Sequence, residues 1–136
     1  MKLNFVPFKS VGNFILGDTI DNYISHYAFS YYPDEDNIGL DTYDLFEIGI
    51  SLNVRNDTKI IDFIICRKEL YYIEKNIISM KIEDFISYSN LKYYGEIDVL
   101  DFEDDNIPQY VYEFDDIGLQ IWTKNGIIVT GIINSA

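Results

Sequence analysis

The stretch that decides the fold reads GLQIWTKNGIIVTGII and spans residues 118–133. Apolar and polar side chains alternate from Gly118 to Trp122, which suits a strand with one buried face. Asn125 and Gly126 supply the positive φ angles that a tight hairpin turn requires. Because a second apolar run follows the turn, the sequence predicts two antiparallel strands joined around residues 123–126.

A second hairpin is predicted earlier in the chain, where two apolar strands flank a polar turn. The strands lie near Phe46–Val54 and Lys59–Arg67, and Arg55–Thr58 forms the turn between them. A further strand is predicted at Glu69–Ile73. The chain contains 12 Tyr and 9 Phe, and aromatic side chains suit a pleated surface. The composition therefore favours a sheet over a helix bundle.

Two helices are predicted at Thr19–Ala28 and Met80–Asn90, because apolar residues recur there at helical spacing. Short strands precede them at Asn13–Leu16 and Asn76–Ile78. Together these elements predict an α+β fold, in which a mainly antiparallel sheet has two helices packed on one face.

A weak internal repeat accompanies this pattern. Three matches occur in the same order in the two halves of the chain: residues 20–25 with 82–87, 46–52 with 114–121, and 60–65 with 127–133. They indicate two β-α-β-β repeats, residues 13–67 and 76–133, within a single domain that spans residues 1–136. A composition rich in Ile and Asp also produces such matches, so duplication and chance remain equal alternatives.

The net charge of −13 is the most unusual property of this chain of 136 residues. With 48% hydrophobic residues, the chain has ample material for a core, so disorder is not expected. Self-repulsion at this charge costs stability. Solubility, or a host whose proteins are acidic in general, is one explanation, and attraction to a strongly basic partner is the other. A free nucleic acid and an anionic membrane are excluded as partners because both repel an acidic surface.

The cellular location is predicted to be the cytoplasm. A single cysteine, Cys66, cannot form an internal disulfide, and its apolar surroundings at residues 60–66 predict a buried thiol. The apolar run within residues 1–9 is too short for a signal peptide. No stretch approaches the ~20 apolar residues that a membrane span needs.

Catalytic and metal-binding motifs are largely missing from the sequence. His26 is the only histidine, which excludes a zinc finger and a histidine-based zinc site. No glycine-rich nucleotide loop is present. The acidic run at 98–106 lacks the glycine and glutamate of an EF-hand loop, although weak Ca²⁺ or Mg²⁺ binding there remains an alternative. We expect no enzymatic activity, no cofactor and no bound metal, with an enzyme that uses only carboxylates and tyrosines as a minor alternative.

Acidic residues and tyrosines are concentrated in the second half of the chain. From Asp84 to Asp116 there are ten acidic residues and one basic residue, Lys92. Carboxylates form strong charge-assisted bonds with arginine, and tyrosine adds cation–π contacts. The predicted partner-binding residues are Asp98, Asp101, Glu103, Asp104, Asp105, Tyr110, Tyr112, Glu113, Asp115 and Asp116, with a smaller cluster at Tyr32, Asp34, Glu35 and Asp36. The alternative is a set of solvated loops whose aromatic side chains turn inward.

In its size, acidity and richness in Ile, Asn, Tyr and Asp, the chain resembles the immunity proteins encoded beside bacterial polymorphic and contact-dependent growth inhibition toxins. The segment GNFILGDTI at residues 12–20 is the most motif-like part of this resemblance. The resemblance implies an inhibitor that binds and neutralises a basic cognate toxin, such as a nuclease. It assigns no individual binding residues, because immunity proteins have several unrelated folds. A non-catalytic adaptor or assembly module that binds a basic protein is the alternative.

Overall fold

A computed structural model describes residues 1–102 and 105–135 of the chain. In chain order the strands are β1 (Phe5–Val6), β2 (Ser10–Val11), β3 (Phe14–Ile15), β4 (Ser30–Tyr32), β5 (Leu40–Leu45), β6 (Ile50–Arg55), β7 (Ile61–Cys66), β8 (Tyr71–Tyr72), β9 (Lys75–Asn76), β10 (Tyr94–Phe102), β11 (Asp105–Phe114), β12 (Leu119–Lys124) and β13 (Ile127–Asn134). The helices are α1 (Asp21–Ile24) and α2 (Ile82–Ser89), and a 3-10 turn covers Asp115–Ile117.

One large antiparallel sheet dominates the structure. Its eight strands lie in the order β10-β11-β12-β13-β7-β6-β5-β4, so β10 and β4 form its two edges. Strands β1, β2 and β3 form a small sheet of three strands, and β8 pairs with β9.

The predicted α+β class, with two helices packed on one face of the sheet, is wrong. Strands account for 51% of the structure and helices for 11%, so the fold is mostly β. Helix α1 is a single turn of four residues, whereas the sequence predicted a helix over Thr19–Ala28. Two β-α-β-β repeats do not describe the fold either, because each helix is followed by four strands of the large sheet, β4–β7 after α1 and β10–β13 after α2, where the repeat has two.

The two predicted hairpins are present in the centre of the large sheet. In the β12–β13 hairpin Lys124 pairs with Ile127, and the turn residues Asn125 and Gly126 have φ angles of 54° and 75°. Strands β6 and β7 also pair antiparallel, although β6 begins only at Ile50. Alternation and a turn that requires positive φ therefore located β12 and β13. The two apolar runs on either side of a polar turn located β6 and β7 without fixing where β6 begins.

The core lies on one face of the large sheet. Its sheet residues include Leu52, Ile64, Phe114 and Ile121, which are fully buried. Helix α2 packs against this face, since the ring of Phe85 meets the ring of Phe114 edge-on at a centroid distance of 5.2 Å. The small sheets add further apolar side chains to the same cluster.

The opposite face of the large sheet, called the open face below, contributes nothing to that core cluster in the described part of the chain. It is nevertheless apolar in its middle, with side chains that are buried or partly exposed: Phe63, Ile65, Val111, Trp122 and Ile132. An antiparallel sheet commonly has one face on the core and the other facing solvent, where polar side chains are the rule. The apolar middle of the open face therefore needs a further explanation.

A single row of register partners crosses the open face, with one residue from each strand. In sheet order the row is Tyr94, Glu113, Gln120, Ile132, Ile65, Ser51, Asp44 and Ser30. Neighbouring strands are about 4.8 Å apart, so the row extends for about 34 Å measured along the sheet.

Each half of the chain contributes a helix and, after it, four antiparallel strands of the large sheet, β4–β7 in the first half and β10–β13 in the second. Strands β7 and β13, the last of each half, pair at the centre of the sheet with Ile65 opposite Ile132. A duplicated sequence is expected to give such an arrangement. The duplication of residues 13–67 and 76–133 and the single domain over 1–136 stay predictions.

Candidate functional site

Most of the predicted acidic region lies at the β10 edge of the large sheet. Every residue of β10 is exposed or only partly buried, including the predicted site residues Asp98 and Asp101. An edge strand also presents backbone N–H and C=O groups that no neighbouring strand satisfies. This edge therefore offers negative charge together with hydrogen-bonding groups.

Strands β10 and β11 continue past the end of β12, at residues 101–102 and 105–108. Strand β11 pairs with β12 only from Gln109 onward, one residue after Pro108. The pairing ends there because β12 ends at Lys124, where the hairpin turn to β13 begins. Two predicted site residues, Glu103 and Asp104, lie outside the described residues, and Asp105 is described only as the first residue of β11.

The remaining predicted residues of β11 are divided between the two faces of the sheet. Glu113 lies on the open face, as does Asp98, which is paired with Val111. Tyr110 and Tyr112 point to the opposite face. Tyr112 packs edge-on against Tyr93 at 5.2 Å, and its burial raises the pKa of the Tyr112 hydroxyl. The structure therefore does not bring these two tyrosines together with Glu113 and Asp98.

The exposed 3-10 turn that follows β11 carries Asp115 and Asp116. The Tyr94 hydroxyl donates to the Asp116 carboxylate at 2.9 Å, and this bond raises the pKa of Tyr94. Since Tyr94 pairs with Glu113, the contact places Asp116 close to the open-face row. Tyr94 was not among the predicted site residues.

A hydrogen-bonded relay fixes the carboxylate of Glu113 on the open face. The Trp122 Nε1–H donates to Gln120 Oε1 at 2.6 Å, and Gln120 Nε2 donates to Glu113 Oε1. The prediction from sequence missed Gln120 and Trp122. The alternation at residues 118–122 could have identified them, because it places both side chains opposite the buried Leu119 and Ile121.

The smaller predicted cluster lies at the opposite edge, beside β4. Tyr32 is the last residue of β4 and is 48% exposed, and Glu35 and Asp36 are exposed in the following loop. Six strands separate β4 from β10, so the two predicted clusters do not form one continuous surface.

Asp34, in the same loop, has a structural role. Its carboxylate accepts hydrogen bonds from the backbone N–H of Gly39 at 2.6 Å and of Ile38 at 3.1 Å. Desolvation raises the pKa of Asp34, but these backbone bonds outweigh it and leave the pKa below its usual value. Its carboxylate holds the loop in shape, which leaves it less able to bind a partner.

A groove passes the Asp44 end of the open-face row. One cavity of about 630 Å³ includes His26, Asp44 and Glu47, and an adjoining cavity of about 350 Å³ includes Asp44, Arg67 and Lys68. Ser51 is 3% exposed and its hydroxyl donates to Asp44, while Arg67 Nη1 donates to Ser51 Oγ at 2.9 Å. This end of the row thus combines a carboxylate with basic side chains.

Within residues 1–102 and 105–135, no cluster of three or more His, Cys, Asp or Glu side chains is arranged to hold a metal ion. None of the helices in this part of the chain is both long enough and apolar enough to cross a membrane. His26 is exposed just beyond the end of α1.

The predicted burial of Cys66 is confirmed, and this burial lowers the reactivity of the thiol. The side chain is fully buried, and desolvation raises its pKa to about 12. Because the thiolate is the reactive form, we expect the native protein at pH 8 to react with a disulfide reagent at least about tenfold more slowly than the urea-unfolded chain. Absorbance of the released thiolate measures both rates. Equal rates would contradict the buried position of Cys66.

Comparison of the chain with protein-family models, with curated proteins and with solved structures gives no match.

Proposed function

We propose that this protein binds a basic partner protein through the β10 edge of its large sheet and has no catalytic activity of its own. The observation that carries the proposal is that no residue of β10 is buried and that Glu96, Asp98 and Asp101 on it are exposed. The same strand exposes apolar area at Val99 and Phe102, which are 52% and 43% exposed. Protein–protein interfaces combine apolar contact area with charged groups that select the partner.

The charge of the whole chain supports a basic partner. A net charge of −13 produces a long-range field that attracts cationic proteins and repels anionic ones. Such steering raises association rates to ~10⁸ M⁻¹s⁻¹ or above at low salt. The local charge of β10 then orients the partner as it arrives.

The partner we favour is a cognate toxin, and specifically a nuclease, which this protein would neutralise in the cytoplasm as an immunity protein. A nuclease site is basic because it holds phosphates, so an acidic edge is complementary to it. The support for this choice is the charge pattern together with the resemblance to immunity proteins. An adaptor that binds a basic protein without inhibiting it remains the alternative.

Charge reversal on β10 tests the proposed interface. We expect the double variant Asp98→Lys and Asp101→Lys to slow association with the partner about tenfold at low salt, with a smaller effect at about 0.15 M salt. The partner is first captured from the native host with the wild-type protein and identified by mass spectrometry. Stopped-flow mixing of the purified proteins then gives the association rate.

The matched control is the double variant Glu35→Lys and Asp36→Lys, which changes the net charge by the same amount at the opposite edge. Its association rate is expected to fall much less. If the control slows association and the β10 variant does not, the interface lies at the β4 edge. Expression of the partner in bacteria, with and without this protein, decides whether the partner is a toxin. A toxin stops growth unless this protein is present, whereas the partner of an adaptor allows growth in both cases.

A further inference from the structure

The residue types of the open-face row are nearly symmetric about the central β7–β13 pair. In the first half it runs Asp44, Ser51 and Ile65, and in the second half Glu113, Gln120 and Ile132. In each half the polar side chain in the middle donates a hydrogen bond to the carboxylate on the neighbouring strand. The sheet therefore holds two carboxylates in equivalent positions, one in each half.

The surroundings of these two carboxylates differ in charge. Beside Asp44, the Arg67 guanidinium bonds to Ser51 at 2.9 Å, and Lys68 lines the same cavity. Around Glu113 the charged neighbours are acidic: Asp98 pairs with Val111, two residues before Glu113 on the same face, and Asp116 accepts a hydrogen bond from Tyr94, the register partner of Glu113. The basic residue Lys124 lies further along, where β12 ends at the hairpin turn. A cation is therefore attracted to the Glu113 end and far less to the Asp44 end.

Trp122 adds an aromatic surface at the Glu113 end. It lies in the adjacent row of register partners, next to Val111 and Asp98, and its ring is partly exposed. Because Gln120 already accepts the indole N–H, a partner group can interact with this ring only through its π-system. Gln120 donates a hydrogen bond to Oε1 of Glu113. The other carboxylate oxygen, Oε2, accepts no hydrogen bond from any of the described residues. One carboxylate oxygen and one indole ring thus lie near each other on an unpartnered face.

We infer that the open face receives an arginine side chain of the basic partner, stacked on Trp122 and hydrogen-bonded to Glu113. This inference rests on the proposed function and names the chemical group that the partner inserts. A planar guanidinium stacks on an aromatic ring while its N–H groups donate in its plane, which an ammonium group cannot do. The apolar middle of the open face, at Ile65 and Ile132, then packs against the partner surface around that arginine.

The emission of Trp122 tests the inference directly, because it is the only tryptophan of the chain. The probe is an end-blocked Gly-Arg-Gly-Arg-Gly peptide, compared with the same peptide in which citrulline replaces arginine. Citrulline keeps the shape of the side chain and removes its charge. We expect a saturable change in Trp122 emission with the arginine peptide, and at least about fivefold weaker binding with the citrulline peptide.

The structure offers a matched pair of variants for this experiment. Glu113→Gln is expected to weaken binding of the arginine peptide at least about fivefold, whereas Asp44→Asn, at the equivalent position, leaves it unchanged. Circular dichroism checks that both variants fold. Equal losses in the two variants, or no response of Trp122, would overturn the inference. If charge reversal on β10 still slows association with the whole partner in that case, the proposed function stands without it.

Discussion

Replacement of Phe85 by alanine is expected to lower the free energy of unfolding by about 3–5 kcal/mol. Phe85 is fully buried and its ring contacts Phe114 edge-on at 5.2 Å and Tyr72 at 6.3 Å. The contact with Phe114 attaches α2 to the core face of the large sheet. Truncation of Phe85 leaves a cavity between the helix and the sheet. Urea unfolding followed by circular dichroism measures the change.

Phe46→Ala is the control for this prediction, because Phe46 is 59% exposed in the turn between β5 and β6. Its removal is expected to change the free energy of unfolding by no more than about 0.5 kcal/mol. If the two substitutions cost the same, Phe85 does not hold α2 on the sheet.

Gly118→Ala is expected to cost about 2–4 kcal/mol, for two reasons that add. Gly118 has a φ of +63°, a conformation that other residues adopt with strain. A Cβ at this position also lies 2.7 Å from the Asn134 carbonyl oxygen and 2.7 Å from Phe8 Cδ1, so β13 or Phe8 must move. Overpacking of this kind costs about 1–3 kcal/mol by itself. Urea or thermal unfolding of the variant gives the loss.

The variant Gly126→Ala separates the cost of the positive φ angle from the cost of the steric clash. Gly126 also has a positive φ, +75°, but its Cβ would meet nothing within 4 Å. We expect this variant to show only the conformational cost, about 1–2 kcal/mol. Should both variants lose the same stability, the close approach of Asn134 and Phe8 to Gly118 has no energetic effect.

The central hairpins and the buried Cys66 could be predicted because burial on one face imposes a pattern on the sequence. Strand β12 alternates strictly between buried and partly exposed residues, and the Asn125–Gly126 turn has few alternatives to a hairpin. Helix α2 was found for the same reason, with Ile82 and Phe85 on its buried side.

The outer strands β4, β5, β10 and β11 were missed because their environment leaves little pattern to detect. Strand β10 reads YGEIDVLDF and is exposed on both faces, so apolar residues do not alternate with polar ones. Glycine and acidic residues are also rare in strands, which made the stretch look like an acidic loop. The helix predicted at Thr19–Ala28 was too long because apolar spacing does not require burial: Ile24 is 46% exposed.

The acidic character of the candidate site could be predicted, but its geometry could not. Once β11 is known to be a strand, alternation separates Tyr110 and Tyr112 from Val111 and Glu113. The relay from Trp122 through Gln120 to Glu113 depends on the register of β11 against β12, which is set by the turn between them. That register follows from the three-dimensional turn rather than from any single residue type.

The positions of β10 and β4 also bear on how copies of this protein meet one another. An open sheet can grow by adding a strand from a neighbouring molecule at either edge, and such growth leads to fibres. Here β10 carries acidic residues and two irregularities in its pairing with β11, and the loop after β4 carries Glu35 and Asp36. Two molecules that approach edge to edge therefore meet carboxylates on both sides. Repulsion between these carboxylates opposes the addition of a further strand to the eight strands of one chain.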